Sequence, residues 1–134
     1  MKRVRMTGLL TVSLSAAALV GLSAHHSIQA QFDINKTFSI SGTVAKVEYI
    51  NPHSYLTLNV KDADGKVQKW AFEMAAAAQL RRSGSSRADR GGLKPGDEVT
   101  VTALAARDGS NTGLLRELKA ADGRVLITSD TNAQ

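Results

Sequence analysis

The chain of 134 residues has no cysteine and few aromatic side chains, namely one tryptophan, two tyrosines and three phenylalanines. The absence of cysteine excludes disulfide bonds, thiolate zinc sites, iron–sulfur clusters and cysteine nucleophiles. Because no covalent cross-link is available, stability must come from a hydrophobic core. The arginine- and lysine-bearing segment at residues 81–94 lacks interleaved aromatic side chains that could stack on nucleobases. Nucleic acid is therefore not an expected partner.

The amino-terminal segment has the features of a secretory signal. Lys2, Arg3 and Arg5 form a positive start, and residues 8–22 form an apolar run without a charge. This run is shorter than the roughly 20 residues of a membrane-spanning helix, and no basic stop-transfer flank follows it. We therefore expect residues 1–24 to be removed as a signal peptide. This predicts a periplasmic or secreted protein without a stable membrane span.

The rest of the chain has the size of one ordinary domain, because removal of residues 1–24 leaves 110 residues. The signal holds three of the 17 Lys and Arg residues, so the remaining chain has 14 against 12 Asp and Glu, a net charge of +2. Such a small charge is weak evidence for a nucleic acid or anionic lipid partner. We place the folded domain at residues 38–127, between an arm at 25–37 and a flexible tail at 128–134.

A long strand at residues 38–53 is the strongest structural signal in the sequence. Apolar residues alternate up to Val44, and the pattern then slips by one so that Val47 and Tyr49 face the same way. This slip predicts a β-bulge or a sharp bend, and Gly42 provides room for a close backbone approach. A strongly bent first strand is typical of a small antiparallel sheet that closes into a barrel.

The remaining pattern predicts a mainly β domain. A hairpin is predicted with strands at 55–60 and 66–73 around a turn at 62–65, and an alanine-rich helix over 74–82. Further strands are predicted at 99–103, 114–120 and 125–127. This order favours a small five-stranded OB-like antiparallel barrel with one short helix between strands 3 and 4; a small sandwich or open roll is the alternative. The predicted core residues are Ile40, Val44, Leu56, Leu58, Val60, Trp70, Phe72, Leu80, Val99, Val101 and Leu118.

Three histidines, His25, His26 and His53, are the chief candidates for chemistry. Imidazole nitrogens suit copper, zinc and nickel, and a free terminal amine is a further nitrogen donor. Signal cleavage after Ala24 makes His25 the first residue, whose amine and ring chelate one ion while His53 supplies a third nitrogen. Cleavage after Ser23 instead makes His26 the third residue and allows a square-planar site for Cu(II) or Ni(II). Either position predicts a metal-binding protein, with copper as the preferred ion; the alternative is a flexible His-His arm at the start of the mature chain and a His53 that only caps a turn after Pro52.

Two carboxylates and a basic cluster are further candidates. Asp33 and Glu73 are possible orienting partners of a metal-bound histidine, and solvated strand ends are the alternative for both. No acid, base and nucleophile converge in the sequence, so we do not expect an enzyme. A second hypothesis is a non-metal module that uses the barrel face and a basic loop to bind an acidic partner or a small anion. The basic cluster consists of Arg81, Arg82, Arg87, Arg90 and Lys94.

Six short motifs are spread over the mature chain. They are His25-His26-Ser27, Phe32-Asp33, Gly42-Thr43-Val44, Asn51-Pro52-His53, Trp70 with Glu73, and the Leu-Lys-Pro-Gly-Asp of residues 93–97. In this combination the chain resembles a family of short exported bacterial proteins of unknown function. The resemblance implies export and a small β-barrel. It implies no activity, ligand or catalytic residue.

Overall fold

The computed structural model describes residues 24–86 and 92–128, which form a mainly β fold with six strands and two short helices. Neither helix in these ranges is long and apolar enough to cross a membrane. The predicted signal, apart from Ala24, and the predicted tail, apart from Thr128, lie outside the described residues. The elements are α1 (Ala24–Gln31), β1 (Phe32–Glu48), β2 (Ser54–Lys61), β3 (Val67–Met74), α2 (Ala77–Arg82), β4 (Glu98–Ala106), β5 (Thr112–Ala120) and β6 (Val125–Ile127).

The strands form one sheet in the order β3-β2-β1-β4-β5-β6, and β3 also pairs with β5. The β3–β5 pairing is parallel, whereas the other strand pairs are antiparallel. Because β3 and β5 meet, the pairings of the first five strands form a closed circuit. The sequence predicted a five-stranded barrel and, outside those five strands, a last short strand at 125–127. The structure pairs that segment with β5, so the sheet has six strands instead of five.

β1 contains the predicted irregularity. Its register against β2 shifts between Val44, which pairs with Leu58, and Lys46, which pairs with Thr57. The one extra residue of this β-bulge restores the inward orientation for the second half of the strand. Val44 is buried, and Val47 packs against the same core. The phase slip in the sequence therefore predicted the bulge correctly.

The predicted arm at 25–37 is wrong, because its residues form α1 and the start of β1. β1 begins at Phe32 and not at residue 38, and it pairs with β4 from Phe32 opposite Ala106. Phe32 is buried with Leu104 and Leu114 in a small apolar cluster apart from the main core. The partners that order this segment lie about 70 or more positions further along the chain, so local periodicity does not reveal them.

The other elements follow the prediction closely. The β2–β3 hairpin turns at the predicted position, where Gly65 has a φ of +79°. α2 begins at Ala77 and not at Met74, because Met74 ends β3 opposite Ser54. Nine of the eleven predicted core residues are buried, and Ile40 and Trp70 are partly buried and pack against the core. The core also contains Met74, Ala75, Leu93, Ala103, Leu115 and Ile127.

Candidate functional site

His53 is held at the start of β2 by a buried serine. The loop before it contains a cis peptide bond between Asn51 and Pro52. The next residue, Ser54, is completely buried, and its hydroxyl donates a hydrogen bond to the Ile50 carbonyl at 3.2 Å. Its backbone N–H donates to the Ala75 carbonyl at 3.2 Å. These two hydrogen bonds tie Ser54, at the end of the loop, to Ile50 at its start and to Ala75 after β3. The backbone of His53 therefore has a defined position.

The imidazole of His53 contacts the carboxylate of Glu73 on β3. Nδ1 of His53 lies 3.2 Å from Oε1 of Glu73, and the two side chains are 44% and 14% exposed. A hydrogen on Nδ1 donates to the carboxylate in this arrangement, which leaves the lone pair of Nε2 free to bind a ligand. A carboxylate behind one ring nitrogen is the usual partner of a metal-binding histidine. The pair therefore has the chemistry of one ligand arm of a metal site.

Glu73 also lies beside β5. In the parallel pairing of β3 with β5, Glu73 is opposite Leu114. Phe72 and Leu115, the residues next to this pair, belong to the main core, so alternation directs Glu73 and Leu114 to the opposite face. Glu73 and Leu114 thus lie on neighbouring strands at one outer region of the sheet, and His53 lies directly before the first residue of β2.

α1 lies against this region. Ile28 of α1 packs against the apolar cluster that contains Leu104 of β4 and Leu114 of β5. At the carboxyl end of the helix, the backbone N–H of Arg107 donates to the Gln31 carbonyl at 2.9 Å. The helix is consequently attached to β4 and β5, and of these two strands β5 pairs with β3 at Glu73.

The predicted metal ligands fall on two elements. His25 and His26 belong to the first turn of α1, and the structure describes their backbone but not their side chains. His53 lies in the loop directly before β2 and contacts Glu73 of β3. Within residues 24–86 and 92–128 no group of three or more His, Asp or Glu side chains could hold a metal ion. The metal site thus stays a prediction that depends on where the two helical histidines point.

Of the two proposed orienting carboxylates, Glu73 contacts a histidine and Asp33 is found elsewhere. Asp33 pairs with Ala105 of β4 at the start of β1, and its carboxylate accepts the backbone N–H of Asn35 at 3.0 Å. This local contact is the common role of an aspartate at an irregular strand position. In the described structure, Asp33 therefore has a local backbone role.

The basic cluster is only partly described. Arg81 and Arg82 are exposed in the last turn of α2, whereas Arg87 and Arg90 lie outside the described residues. The ammonium of Lys94 lies 2.5 Å from Asp97 Oδ1. The hydrogen bond from Lys94 holds the pKa of the Asp97 carboxyl below its usual value. The charge of Lys94 is thus paired with the carboxylate of Asp97 in the same turn. An anion-binding function of this loop stays a prediction.

Some features of the site were not predicted from the sequence. The contact of Glu73 with His53 follows from the hairpin register, because counting back from the turn at 62–65 places Tyr55 opposite Glu73 and His53 two residues before Tyr55. The contact between Glu73 and His53 could therefore have been predicted from the hairpin register. The contact of α1 with β5 and the role of Leu114 depend on the parallel β3–β5 pairing, for which the sequence has no local signal.

The fold and the site define a small β-sheet protein with a half-exposed histidine that contacts a mostly buried carboxylate, and with a histidine-bearing helix at its amino end. A comparison with protein families shows that the chain belongs to DUF6152, a family of unknown function whose pattern matches residues 10–117. No curated protein matches the chain. The family membership confirms the resemblance noted in the sequence, while the motifs and the export that it implied stay predictions.

Proposed function

We propose that this protein is an exported OB-like β-barrel that binds a divalent metal ion, preferably copper, between its amino-terminal helix and its sheet. The ligands are the terminal amine and ring of His25 together with Nε2 of His53. The observation that carries the proposal is the 3.2 Å contact between His53 Nδ1 and Glu73 Oε1, which leaves Nε2 as the binding atom.

The strand pairings support the barrel. Parallel pairing of β3 with β5 completes the circuit of five strands. β1 bends at its bulge and pairs first with β4 and then with β2. The helix α2 lies between β3 and β4 in the chain. This combination is typical of the OB fold.

The direction of α1 supports the meeting of its histidines with His53. The carboxyl end of α1 is bonded to β4 through Gln31, and three residues earlier Ile28 packs on the cluster shared by β4 and β5. The next strand beyond β5 is β3, at Glu73. A helix rises about 1.5 Å per residue, so the step from Ile28 to His25 advances about 4.5 Å. We propose that this step, which is close to the strand spacing of about 4.8 Å, runs from β5 towards β3.

The helical backbone favours one of the two coordination modes. A square-planar site with His26 as third residue needs the backbone nitrogens of His25 and His26 in one plane around the ion. In a helix these N–H groups point along the axis towards the amino end, so they do not converge in such a plane. Because α1 extends over Ala24–Gln31, we favour binding through the amine and ring of His25, a mode that requires cleavage after Ala24.

The donor set favours copper. A primary amine and two imidazoles are nitrogen donors of intermediate softness, for which Cu(II) has the highest affinity among the common divalent ions. Zinc and nickel accept the same donors with lower affinity. An exported protein without cysteine offers no thiolate alternative for these metals.

The test begins with the intact mass of the exported protein, which identifies the first residue. Cu(II) is then titrated into the wild type and into His53→Ala, His25→Ala and His26→Ala. We expect His53→Ala and His25→Ala to weaken binding by more than the roughly 10- to 100-fold that loss of an outer hydrogen-bond partner costs. His26→Ala is the matched control and retains the wild-type affinity. Unchanged affinity of His53→Ala would contradict the three-nitrogen site, and absence of Cu(II) binding would refute the function.

A further inference from the structure

β1 has an open edge along its first half. It pairs with β4 as far as Thr43, but with β2 only from Thr43 onwards. Among the described residues, the first half of β1 therefore has a neighbouring strand on one side only. Its pairing with β4 is regular from Thr37, after a register shift that begins at Asp33. We call residues 37–41 the open edge, since the irregular segment bounds them at one end and β2 bounds them at the other.

Alternation along β1 determines which backbone groups face the open edge. Val44 bonds towards β4, because its N–H donates to the Asp97 carbonyl and its carbonyl accepts the Gly96 N–H, both at 2.8 Å. In an antiparallel pair, residues that bond to the neighbouring strand alternate with residues whose N–H and C=O groups point away from it. No register shift interrupts this alternation between Thr37 and Thr43. The backbone groups that face the open edge are those of Thr37, Ser39 and Ser41.

Hydroxyl contacts support this assignment. Oγ of Ser39 lies 2.9 Å from Oγ1 of Thr102, and Oγ of Ser41 lies 2.8 Å from Oγ1 of Thr100. Opposite side chains approach most closely in the pairs that do not exchange backbone hydrogen bonds. Ser39 and Ser41 thus bond to β4 through their side chains and direct their backbone donors and acceptors away from it.

Apolar surface lies along the same edge. Phe38 and Ile40 are only partly buried, although their partners on β4, Ala103 and Val101, are completely buried. The exposed parts of Phe38 and Ile40 are therefore on the side away from β4. The ring of Trp70 lies 5.4 Å from that of Phe38 and is likewise partly buried. A strand added to the open edge would place alternate side chains on this apolar surface.

An exposed lysine lies at each end of the open edge. Lys61 lines a groove of about 460 Å³ together with Ser41 and Asn59, and Glu98 lines the same groove from β4, on the other side of β1. Lys36 directly precedes the open edge. Within residues 24–86 and 92–128, neither lysine forms an ion pair.

These two charges select the occupant of the edge. In a symmetric antiparallel pairing of two copies, Lys36 of each copy would lie at the Lys61 end of the other, so like charges would meet. Asp33 and Asp62 are close in sequence, but their carboxylates accept backbone N–H groups of their own turns. An acidic segment of a different protein would instead place carboxylates beside both lysines.

We propose that the open edge of β1 is a docking site for an extended acidic segment of another protein, which adds to the sheet as a strand beside residues 37–41. Its backbone pairs with the outward-facing N–H and C=O groups, and alternate apolar side chains pack on Phe38, Ile40 and Trp70. Acidic side chains at its two ends meet Lys36 and Lys61. This docking site is independent of the proposed metal site, so the experiments are performed with a chelator present.

The probe is a synthetic heptapeptide, acetyl-Glu-Val-Thr-Val-Thr-Val-Glu-amide, which has valines on one face and glutamates at its ends. We expect the emission of Trp70, the single tryptophan, to shift to shorter wavelength as the peptide covers it. Amide hydrogen exchange gives a second measurement. The amides that face the open edge should exchange rapidly in the free protein and slowly with the peptide, whereas those of Phe38 and Ile40 should be protected in both states.

A matched pair of variants tests the backbone pairing. Ser39→Pro removes an N–H that faces the open edge but no hydrogen bond to β4, and proline is tolerated at such an edge position. It should weaken peptide binding by roughly 10-fold or more. Ser39→Ala is the control, because it loses the same hydroxyl contact with Thr102 but keeps the N–H. This control should bind the peptide as the wild type does.

Charge reversal provides a test that does not depend on the folding of the proline variant. Lys36→Glu combined with Lys61→Glu should weaken binding of the glutamate peptide by roughly two- to fivefold per charge. The same double variant should bind a peptide with lysines in place of the glutamates more tightly than the wild type does. Lys46→Glu, in the second half of β1, is the control and should leave the preference for the glutamate peptide unchanged.

Four outcomes would overturn the proposal. They are absence of binding at about 1 mM peptide, equal affinities of Ser39→Pro and Ser39→Ala, slowing of all β1 amides to the same extent, and equal affinities for the glutamate and lysine peptides. Sedimentation tests the remaining occupant. Self-association of the wild type that Ser39→Pro abolishes would assign the edge to a second copy and would also contradict an acidic partner.

Discussion

A Cβ atom on Gly42 would lie 2.7 Å from the backbone carbonyl oxygen of Asn59 and 3.0 Å from Cγ2 of Val60. This close approach occurs where β1 changes its partner, since Gly42 pairs with Val99 of β4 and the next residue pairs with Asn59 of β2. The absence of a side chain at this position thus allows β1 to pass from one half of the sheet to the other.

Replacement of Gly42 by alanine should destabilise the protein by about 1 to 3 kcal/mol, because the added methyl group meets backbone that has no room to move. The free energy of unfolding in denaturant measures this effect. Lys36→Ala, at an exposed position of the same strand, is the control and should change the stability by less than about 0.5 kcal/mol. Equal stabilities of the two variants would show that the β2 backbone moves at Asn59 and makes room for the added methyl group.

Glu73→Gln should weaken Cu(II) binding by roughly 10- to 100-fold without loss of the fold. The amide keeps an oxygen that accepts the Nδ1–H of His53, but it lacks the negative charge that makes a carboxylate the stronger hydrogen-bond partner of a metal-bound imidazole. The matched control is Glu48→Gln, since Glu48 forms its ion pair with Lys46 at 2.7 Å and not with a histidine. A wild-type affinity of Glu73→Gln, measured by competition with a chelator, would argue against a role for the carboxylate charge.

Acid should remove the stabilising effect of Asp97. The Lys94 hydrogen bond lowers the pKa of Asp97 in the folded protein, so the folded state binds this proton less readily than the unfolded chain does. The resulting stabilisation is complete above the ordinary aspartate pKa of about 3.9 and is lost as the pH falls through the lower, folded value.

Unfolding of the wild type and of Asp97→Asn between about pH 7 and about pH 3 tests this prediction. The wild type should be the more stable protein at neutral pH, and the difference should shrink in acid. Sodium chloride should also reduce it, because the pair lies near the surface. A difference that stays constant over the whole pH range would contradict the prediction, because both hydrogen bonds from Lys94 lower the pKa of Asp97 and so depend on its charge.

Features with a local cause could be predicted from the sequence. The bulge after Val44 follows from a break in alternation, since only an extra residue lets Val44 and Val47 face one core. The hairpin follows from its Asp-x-Asp-Gly turn, in which Asp62 Oδ1 accepts the backbone N–H groups of Asp64 and Lys66. In both cases the deciding residues lie within a few positions of one another.

Features that depend on distant partners could not be predicted in this way. α1 has a polar sequence with little apolar periodicity, and its position depends on Arg107 and on the cluster around Leu114. The early start of β1 likewise depends on burial of Phe32 by β4 and β5. Glu73 was one of two equivalent candidates until the register placed it beside His53 and left Asp33 with Asn35.

The apolar surface that Ile28 contacts is made by Leu104 and Leu114, which belong to strands near the other end of the domain. Chains are synthesised from the amino terminus, so the helix is made early, but the apolar surface on which Ile28 packs is complete only when Leu114 of β5 has been added. A product truncated before β5 would contain His25, His26 and His53, yet it would lack Leu114 and with it part of the surface on which α1 packs. Premature termination would therefore abolish the proposed copper binding while leaving every proposed ligand in the polypeptide.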